Sequence, residues 1–152
     1  MSDGNAPADP SAADRLAIME LVARYNWAID TRDAAAYADT FTPDGVFDGG
    51  TELLTGRTEL MDFVGLMARS PGAQGLQHWT SNFVFLEAGP DRAVVRSYMM
   101  GPKDSGGTCS VGVVGRYVDT VAKVDGRWLF THREWREWHE AEGSTQSGAD
   151  AS

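Results

Sequence analysis

The segment VDTVAKVDGRWLF at residues 118–130 decides the predicted fold. Its two halves are rich in residues that favour β-strands, and Asp125-Gly126 lies between them. An Asp-Gly pair in that position is a strong signal for a tight β-hairpin. Similar β-prone runs surround this hairpin, and we predict strands over residues 76–87, 93–101, 108–124 and 127–138. The second half of the chain is therefore predicted to form an antiparallel sheet.

The first half of the chain shows helical periodicity, and we predict three helices there, over residues 12–30, 34–41 and about 58–68. Ser11 or Asp14 can cap the first helix, and Asp33 can cap the second. Residues 42–45, Thr-Pro-Asp-Gly, are predicted to form a turn, because Pro presets φ and Gly takes the left-handed position.

Helices followed by antiparallel strands predict an α+β fold, in which the helices pack against one face of a curved sheet. The chain of 152 residues fits a single domain, which we assign to residues 13–140. Both ends are small and polar in composition, so a disordered leader is expected over residues 1–12 and a flexible tail over residues 141–152. A strongly bent sheet over helices leaves a cone-like interior, a natural place for a ligand pocket.

Composition and charge argue against several functional classes. The formal net charge of −9 disfavours nucleic acid and anionic membrane surfaces as partners. No apolar run approaches the length of a membrane span, and the first residues lack the basic and apolar regions of a signal peptide. Cys109 is the single cysteine, so an internal disulfide is impossible, and we expect a cytoplasmic protein.

Asp30 is the first candidate functional residue. It ends the first predicted helix, where the helix dipole disfavours an anion by about 0.3–1 kcal/mol, so a desolvated carboxylate there needs a cationic or hydrogen-bonding partner. His78, one of three histidines, lies in an apolar, β-prone segment and is the natural candidate. We therefore expect both side chains at the bottom of an apolar pocket. The alternatives are a surface Asp30 that merely ends a helix and a His78 that is satisfied within the core.

Short motifs spread from Asp14 to about Trp138 resemble the SnoaL-like members of the NTF2-like superfamily. They comprise Arg24 to Asp33, Phe41 to Gly45, Gly56, His78 with Asn82, Ala93 to Tyr98, Gly115 to Tyr117 with Asp119, and Asp125 to Trp128. The resemblance implies a cone-shaped α+β barrel whose N-terminal helices pack in a strongly curved antiparallel sheet. It also implies similarity to scytalone dehydratase, bile acid 7α-dehydratase and a hexachlorocyclohexane dehydrochlorinase.

Those similar enzymes use an Asp–His dyad to remove a proton during elimination of water or chloride, and Asp30 and His78 match that dyad. Tyr25 matches the helix tyrosine of the bile acid dehydratase, and Arg133 matches its C-terminal strand arginine. Scytalone dehydratase has a second active-site histidine on the strand that matches residues 111–115, and this chain has none there. His78 can act as the base and Asp30 can fix its tautomer. The leaving oxygen can take its proton from Tyr25 or from protonated His78, or it can be stabilised by Arg133.

Aromatic and thioether side chains are available to line the pocket, and we predict substrate contacts from Trp27, Trp79, Phe83, Tyr98, Met100 and Trp135. Tyr25 and Asp30 are separated by about 140° around an ideal helix, so a flat polycyclic ligand would be needed to touch both. Tyr25 could instead be a core aromatic residue, and Arg133 could form a salt bridge at the rim.

No cofactor site is predicted. His132, Glu134 and His139 lie close in sequence, but strand alternation puts the two histidines on opposite faces. His78 has no second histidine or cysteine at metal-ligand spacing, and neither a P-loop nor a dinucleotide-binding fingerprint is present. We therefore expect neither a metal nor an organic cofactor.

The sequence predicts a cofactor-independent lyase, a dehydratase that acts on a hydrophobic cyclic or polycyclic small molecule, such as a polyketide of secondary metabolism or a steroid. An isomerase or cyclase that uses the same dyad is the first alternative. A non-catalytic NTF2-like subunit, which binds a ligand or assembles like the β subunit of an aromatic-ring dioxygenase, is the second. The resemblance also implies a homo-oligomer, a dimer or trimer packed through the outer face of the sheet.

Overall fold

The computed structural model describes residues 10–139, so residues 1–9 of the expected leader and the whole expected tail lie outside the described residues. Three α-helices are present in this range, α1 (Ala12–Asp30), α2 (Ala34–Ala38) and α3 (Gly56–Arg69). Six strands accompany them: β1 (Phe41–Asp48), β2 (Leu53–Thr55), β3 (Trp79–Ala88), β4 (Arg92–Asp104), β5 (Cys109–Val124) and β6 (Arg127–Glu137). Among these residues, no helix has both the length and the apolar character that a membrane crossing requires.

The six strands form one curved, open sheet in the order β2-β1-β6-β5-β4-β3. Neighbouring strands are antiparallel except β1 and β6, which run parallel. The predicted α+β fold, with helices first and a curved sheet second, is confirmed. The parallel pairing of β1 with β6 was not predicted. This pairing joins the short β1–β2 hairpin to the long strands of the second half.

Helix α1 supplies the helical half of the hydrophobic core. Its buried side chains pack in one cluster with strand residues, and the members of this cluster include Ile18, Leu21, Tyr25, Ile29, Val95, Tyr117, Val121 and Phe130. Burial of each such side chain contributes roughly 1.5–3 kcal/mol. The helix begins as predicted, because the Ser11 hydroxyl accepts the Asp14 N–H at 3.1 Å. Helix α2 is likewise capped by Asp33, whose carboxylate accepts the Ala36 N–H at 2.9 Å.

Two local predictions between α2 and β1 are wrong. Helix α2 ends at Ala38, and residues 42–45 form part of β1 instead of a turn. The cause is tertiary, because Phe41 pairs with Phe130 on β6 and both are buried. An added Cβ on Gly45 would lie 2.8 Å from the Phe41 Cβ, so the glycine permits this close approach. The turn-forming sequence therefore makes an irregularity within a strand.

Bulges account for the curvature of the sheet. The β5–β6 hairpin turns at Asp125-Gly126 as predicted, and both residues have positive φ, 49° and 76°, as a type I′ turn requires. Register shifts interrupt the β3–β4, β4–β5 and β5–β6 ladders, and such shifts bend the strands. Asn82, with a φ of 58°, lies within the shift in β3. The first residues of β3 are thereby held against the end of α1, where Asn26 contacts Thr80.

Candidate active site

Asp30 and His78 are in contact. The Asp30 Oδ1 atom lies 2.6 Å from Nδ1 of the His78 ring, and Oδ2 accepts the backbone N–H of His78 at 2.9 Å. Both side chains are largely buried, with exposed fractions of 17% for Asp30 and 11% for His78. The structure thus brings together the two residues that the sequence paired, and each carboxylate oxygen has a partner.

Two links between α1 and the segment around β3 hold this pair in place. Arg32 follows the helix end with a φ of 62°, and its guanidinium group donates to the Ile29 carbonyl at 2.8 Å and to the Ala73 carbonyl at 2.6 Å. Arg32 therefore supplies the cation that a helix C-terminus favours, close to the Asp30 anion. The second link is the Asn26 side chain, which donates to Thr80 Oγ1 at 3.0 Å. Sequence reasoning missed both anchors, because their partners lie in distant segments.

The hydrogen bonds assign the protonation pattern of the dyad formed by Asp30 and His78. An ionised carboxylate can only accept, so Nδ1 of His78 donates to Asp30, and Nε2 of the neutral ring is then an acceptor. This is the tautomer that a general base needs when Nε2 faces a substrate. Protonation of Nε2 would give an imidazolium ion beside the carboxylate, and the contact at 2.6 Å would stabilise it.

His78 borders a cavity of about 330 Å³, which we call the inner cavity. Its lining includes the apolar and aromatic residues Tyr25, Ile29, Phe47, Phe63, Met67, Met99, Val113, Tyr117 and Trp135, and polar and apolar atoms share the exposed wall about equally. Its polar lining consists of Thr51, Glu52, His78 and Glu137. The lining contains two carboxylates and no Lys or Arg among residues 10–139, so the inner cavity favours neutral ligands over anions. Nowhere in that range do three metal-ligating side chains converge.

His78 also borders a larger space, a surface groove of about 910 Å³ that we call the outer groove. Asp30 and Arg32 border this groove, and two exposed tryptophans, Trp27 and Trp79, lie along it. The dyad therefore lies between two spaces. His78 lines both spaces, whereas Asp30 lines the outer groove and not the inner cavity.

Tyr25 borders the inner cavity together with His78, although its side chain is only 2% exposed. Its hydroxyl group lies 3.2 Å from the hydroxyl group of Tyr37, and either can be the donor. Burial raises the pKa of Tyr25 well above its ordinary value, so the hydroxyl group stays protonated. Because His78, and not Asp30, faces this cavity, a ligand can meet Tyr25 and the dyad without spanning 140° of the helix. A flat polycyclic ligand is therefore not required by geometry.

Arg133 is the predicted site residue whose role the structure changes. It is fully buried, with 0% exposed, and it lies in the lining of neither the inner cavity nor the outer groove. Its guanidinium carbon lies 3.6, 4.1 and 4.6 Å from the ring centroids of Tyr117, Tyr25 and Phe130. Its Nε atom is 3.6 Å from Asp119 Oδ1. The structure thus places Arg133 in the core, and its ion pair with Asp119 lies there and not at the rim.

The six predicted substrate contacts lie in different parts of the molecule. Trp135 borders the inner cavity, whereas Trp27, Trp79 and Met100 border the outer groove. Phe83 packs against the hydrophobic core, and Tyr98 lies on the exposed outer face of the sheet. Among the described residues of this set, Trp135 alone shares the inner cavity with Tyr25.

Strand alternation explains most of these differences. On β4, Met99 is buried and lines the inner cavity, whereas its neighbours Tyr98 and Met100 point to the outer face. A correct register for β4 would have chosen Met99 over Tyr98 and Met100. Tyr117 is an important cavity residue that sequence reasoning missed. Its ring meets Tyr25 edge-on with centroids 6.2 Å apart, and the sequence carries no sign of this contact.

The comparison with known families agrees with this architecture. A family model described as the SnoaL-like domain matches residues 10–134. The chain belongs to the SnoaL-like family. The resemblance inferred from the motifs of this SnoaL-like protein is thereby confirmed. Among curated proteins, none matches it significantly.

Solved structures similar to this SnoaL-like protein share the fold. A protein of unknown function from Mycobacterium tuberculosis is 29% identical with a TM-score of 0.75, over 82% of this chain and 72% of that one. An NTF2-like protein with a cystatin-like fold from Novosphingobium aromaticivorans is 24% identical with a TM-score of 0.74, over 91% and 85%. A candidate scytalone dehydratase, also from Novosphingobium aromaticivorans, is 25% identical with a TM-score of 0.67, over 82% and 84%. The NTF2-like fold of the chain is thus confirmed.

Proposed function

We propose that this SnoaL-like protein is a cofactor-independent lyase, a dehydratase that acts on a hydrophobic cyclic or polycyclic small molecule. The observation that carries the proposal is the contact between Asp30 and His78 at 2.6 Å, with the histidine bordering the inner cavity. A carboxylate–imidazole pair beside a cavity with apolar and aromatic lining residues is the arrangement of a general base. The similarity to a candidate scytalone dehydratase supports the same class of reaction.

In the proposed reaction, Nε2 of His78 removes a proton from a carbon atom next to a carbonyl group of the substrate. The C–H electron pair forms the new C=C bond while the C–O bond to the leaving hydroxyl group breaks. The imidazolium ion, stabilised by Asp30, delivers the same proton to the leaving oxygen, and water is released. Tyr25 keeps its proton and donates a hydrogen bond to an oxygen atom of the substrate. One histidine therefore suffices, and both proton transfers occur on the same face of the substrate.

The inner cavity supports a compact, neutral substrate. Its volume of about 330 Å³ lies at the lower end of the range for small-molecule sites. Tyr117 and Trp135 supply flat surfaces for a ring system, and Glu52 and Glu137 disfavour carboxylate or phosphate groups. A cyclic β-hydroxy ketone, as found in polyketide-derived and steroid-like molecules of secondary metabolism, meets these conditions.

An isomerase or cyclase is the runner-up, because the same dyad could return its proton to a different carbon atom without expulsion of water. The contact between Asp30 and His78 supports both reactions equally. A non-catalytic ligand-binding subunit would use the inner cavity but would have no use for the paired imidazole. The paired imidazole therefore favours the two enzymes over the subunit.

We also propose that the protein is a cytoplasmic homo-oligomer, a dimer or trimer that binds no nucleic acid. Exposed apolar side chains on the outer face of the sheet support the oligomer, and they include Trp79, Tyr98, Met100, Val114 and Trp138. Tyr98→Asp would insert a charge into that face. Light scattering should give an oligomer for the wild type and a smaller species for this variant, and a monomeric wild type would contradict the proposal.

Mass spectrometry tests the proposed reaction. We suggest incubating the wild type, His78→Ala and His132→Ala with a panel of cyclic β-hydroxy ketones and following the mass of each compound. His132 provides a matched control, because it is on β6 and the linings of the inner cavity and the outer groove do not include it. Loss of one water by the wild type and by His132→Ala, but not by His78→Ala, is the expected result.

The other outcomes separate the rivals. Rearrangement at constant mass that requires His78 would favour the isomerase or cyclase. Equal turnover by the wild type and His78→Ala would reject the dyad. Binding of the panel to the wild type without any turnover would favour the non-catalytic subunit.

A further inference from the structure

Arg133 lies in an unusual environment for a cation. Its side chain is 0% exposed, and none of its three guanidinium nitrogens has a hydrogen-bond partner within residues 10–139. The nearest anion, Asp119, approaches only to 3.6 Å. Burial of a cation without hydrogen bonds is costly, so other interactions must offset it. The residue therefore needs an explanation beyond ordinary packing.

Aromatic rings supply the missing interactions. The guanidinium carbon lies 3.6 Å from the ring centroid of Tyr117, 4.1 Å from that of Tyr25 and 4.6 Å from that of Phe130, all within cation–π range. A planar guanidinium group can lie flat against such rings, which a lysine ammonium group cannot do. The rings of Tyr25 and Tyr117 also border the inner cavity with His78. Arg133 thus lies directly behind two cavity walls while its own atoms remain out of reach of a ligand.

The hydroxyl group of Tyr25 forms a hydrogen-bonded pair with a second hydroxyl group. It is 3.2 Å from the hydroxyl group of Tyr37, which is itself buried. When Tyr37 donates to Tyr25, the proton of Tyr25 is free for a second acceptor, such as a ligand oxygen atom in the inner cavity that Tyr25 borders. A positive charge against the ring face pulls electron density from the phenol oxygen and strengthens that donation, more so in a dry interior than in water.

We propose that Arg133 is a positioning residue that acts through Tyr25, holding its ring and polarising its hydroxyl group as the donor to an oxygen atom of the bound ligand. The inference rests on the proposed function only in taking that oxygen to belong to a hydroxyl or carbonyl group of the substrate. The ligand class it specifies is a neutral ring compound whose oxygen gains negative charge as it binds or reacts. Arg133 itself touches no ligand.

Binding of 2-naphthol and of its more acidic cyano-substituted derivatives tests this role without any turnover, since these aromatic compounds cannot lose water. Calorimetry should show that Tyr25→Phe and Arg133→Met each weaken binding of the most acidic probe by about tenfold. In the double variant the two losses should not multiply, because the cation acts through the phenol hydroxyl. Affinity should rise with probe acidity in the wild type and less so in Arg133→Met. Arg92→Met, an exposed arginine paired with Glu87, is the matched control and should bind like the wild type.

Two results would overturn the inference. One is a loss of affinity in the double variant that equals the product of the two single losses. The other is an equal loss of affinity for every probe, which a merely structural role would give. If Arg133→Met does not fold, Arg133→Lys goes through the same cycle. If Arg133→Lys lowers the affinity by the same factor in the wild type and in Tyr25→Phe, the inference would likewise be overturned. Coupled binding without dehydration of any β-hydroxy ketone would reject the proposed function alone, so the two failures can be told apart.

Discussion

Replacement of Asp30 by asparagine should reverse the tautomer of His78 and so remove the base. Both carboxylate oxygens accept hydrogen bonds, one from ring Nδ1 and one from the backbone N–H of His78. An amide has only one acceptor oxygen, so if it keeps the backbone contact, its NH₂ group faces Nδ1 and the ring must carry its proton on Nε2. That nitrogen, the proposed base, then carries a proton and cannot accept one. General-base catalysis contributes about 10²–10⁴-fold, so turnover should fall by that factor, which corresponds to about 3–5 kcal/mol in the barrier.

The tautomer can be measured without a substrate, by ¹⁵N NMR of protein labelled in its histidine rings. The wild type should carry its proton on Nδ1 of His78, and Asp30→Asn should carry it on Nε2. Asp33→Asn is a matched control, because asparagine caps a helix as well as aspartate does, and both tautomer and turnover should stay as in the wild type. An Asp30→Asn protein that keeps the Nδ1 proton, or that keeps wild-type turnover with the other tautomer, would refute the reasoning.

Three further predictions concern stability. Burial raises the pKa of Asp119 from 3.8 to about 6. Its contribution to the free energy of unfolding is therefore fully present below about pH 3.8 and is lost as the pH rises to about 6. Across that range, urea unfolding should show that the free energy of unfolding of the wild type falls by up to about 3 kcal/mol relative to that of Asp119→Asn. Parallel curves of this free energy against pH would contradict the prediction. Asp14 behaves oppositely, because hydrogen bonds, the strongest from Lys123, lower its pKa to about 2. The contribution of Asp14 to the free energy of unfolding is present above about pH 3.8 and is lost on acidification. An Asp14→Asn variant whose free energy of unfolding falls with acid as much as that of the wild type would exclude this role. Gly115→Ala should lower the free energy of unfolding by about 1–3 kcal/mol, because an added Cβ would collide with the Trp135 ring; an unchanged urea midpoint would disprove that collision.

The parts of the fold that are decided by residues close together in the sequence could be predicted from it. Asp125-Gly126 specified its turn because both positions need positive φ, and Ser11 and Asp33 specified helix starts because their side chains satisfy free N–H groups. The prediction failed where a distant strand decides the outcome. Residues 42–45 look like a turn, but pairing of Phe41 with β6 draws them into a strand.

The candidate site divides in the same way. Asp30 and His78 could be paired from sequence because a carboxylate at a helix end needs a partner and few candidates exist. The surroundings of Arg133 could not be predicted, because three separate segments supply the rings around it. Tyr98 was misplaced for a simpler reason. Its neighbour Met99 takes the inward position on β4, and one step of register moves every side chain to the other face.

Chemical rescue tests the central claim, that His78 is the base of the inner cavity, most directly. Truncation of the ring in His78→Ala leaves room beside Asp30 for a free imidazole molecule. With a β-hydroxy ketone that the wild type dehydrates, we expect His78→Ala to be inactive alone and to regain water loss as imidazole is added. Dehydration by His78→Ala at the wild-type rate without imidazole would contradict the claim.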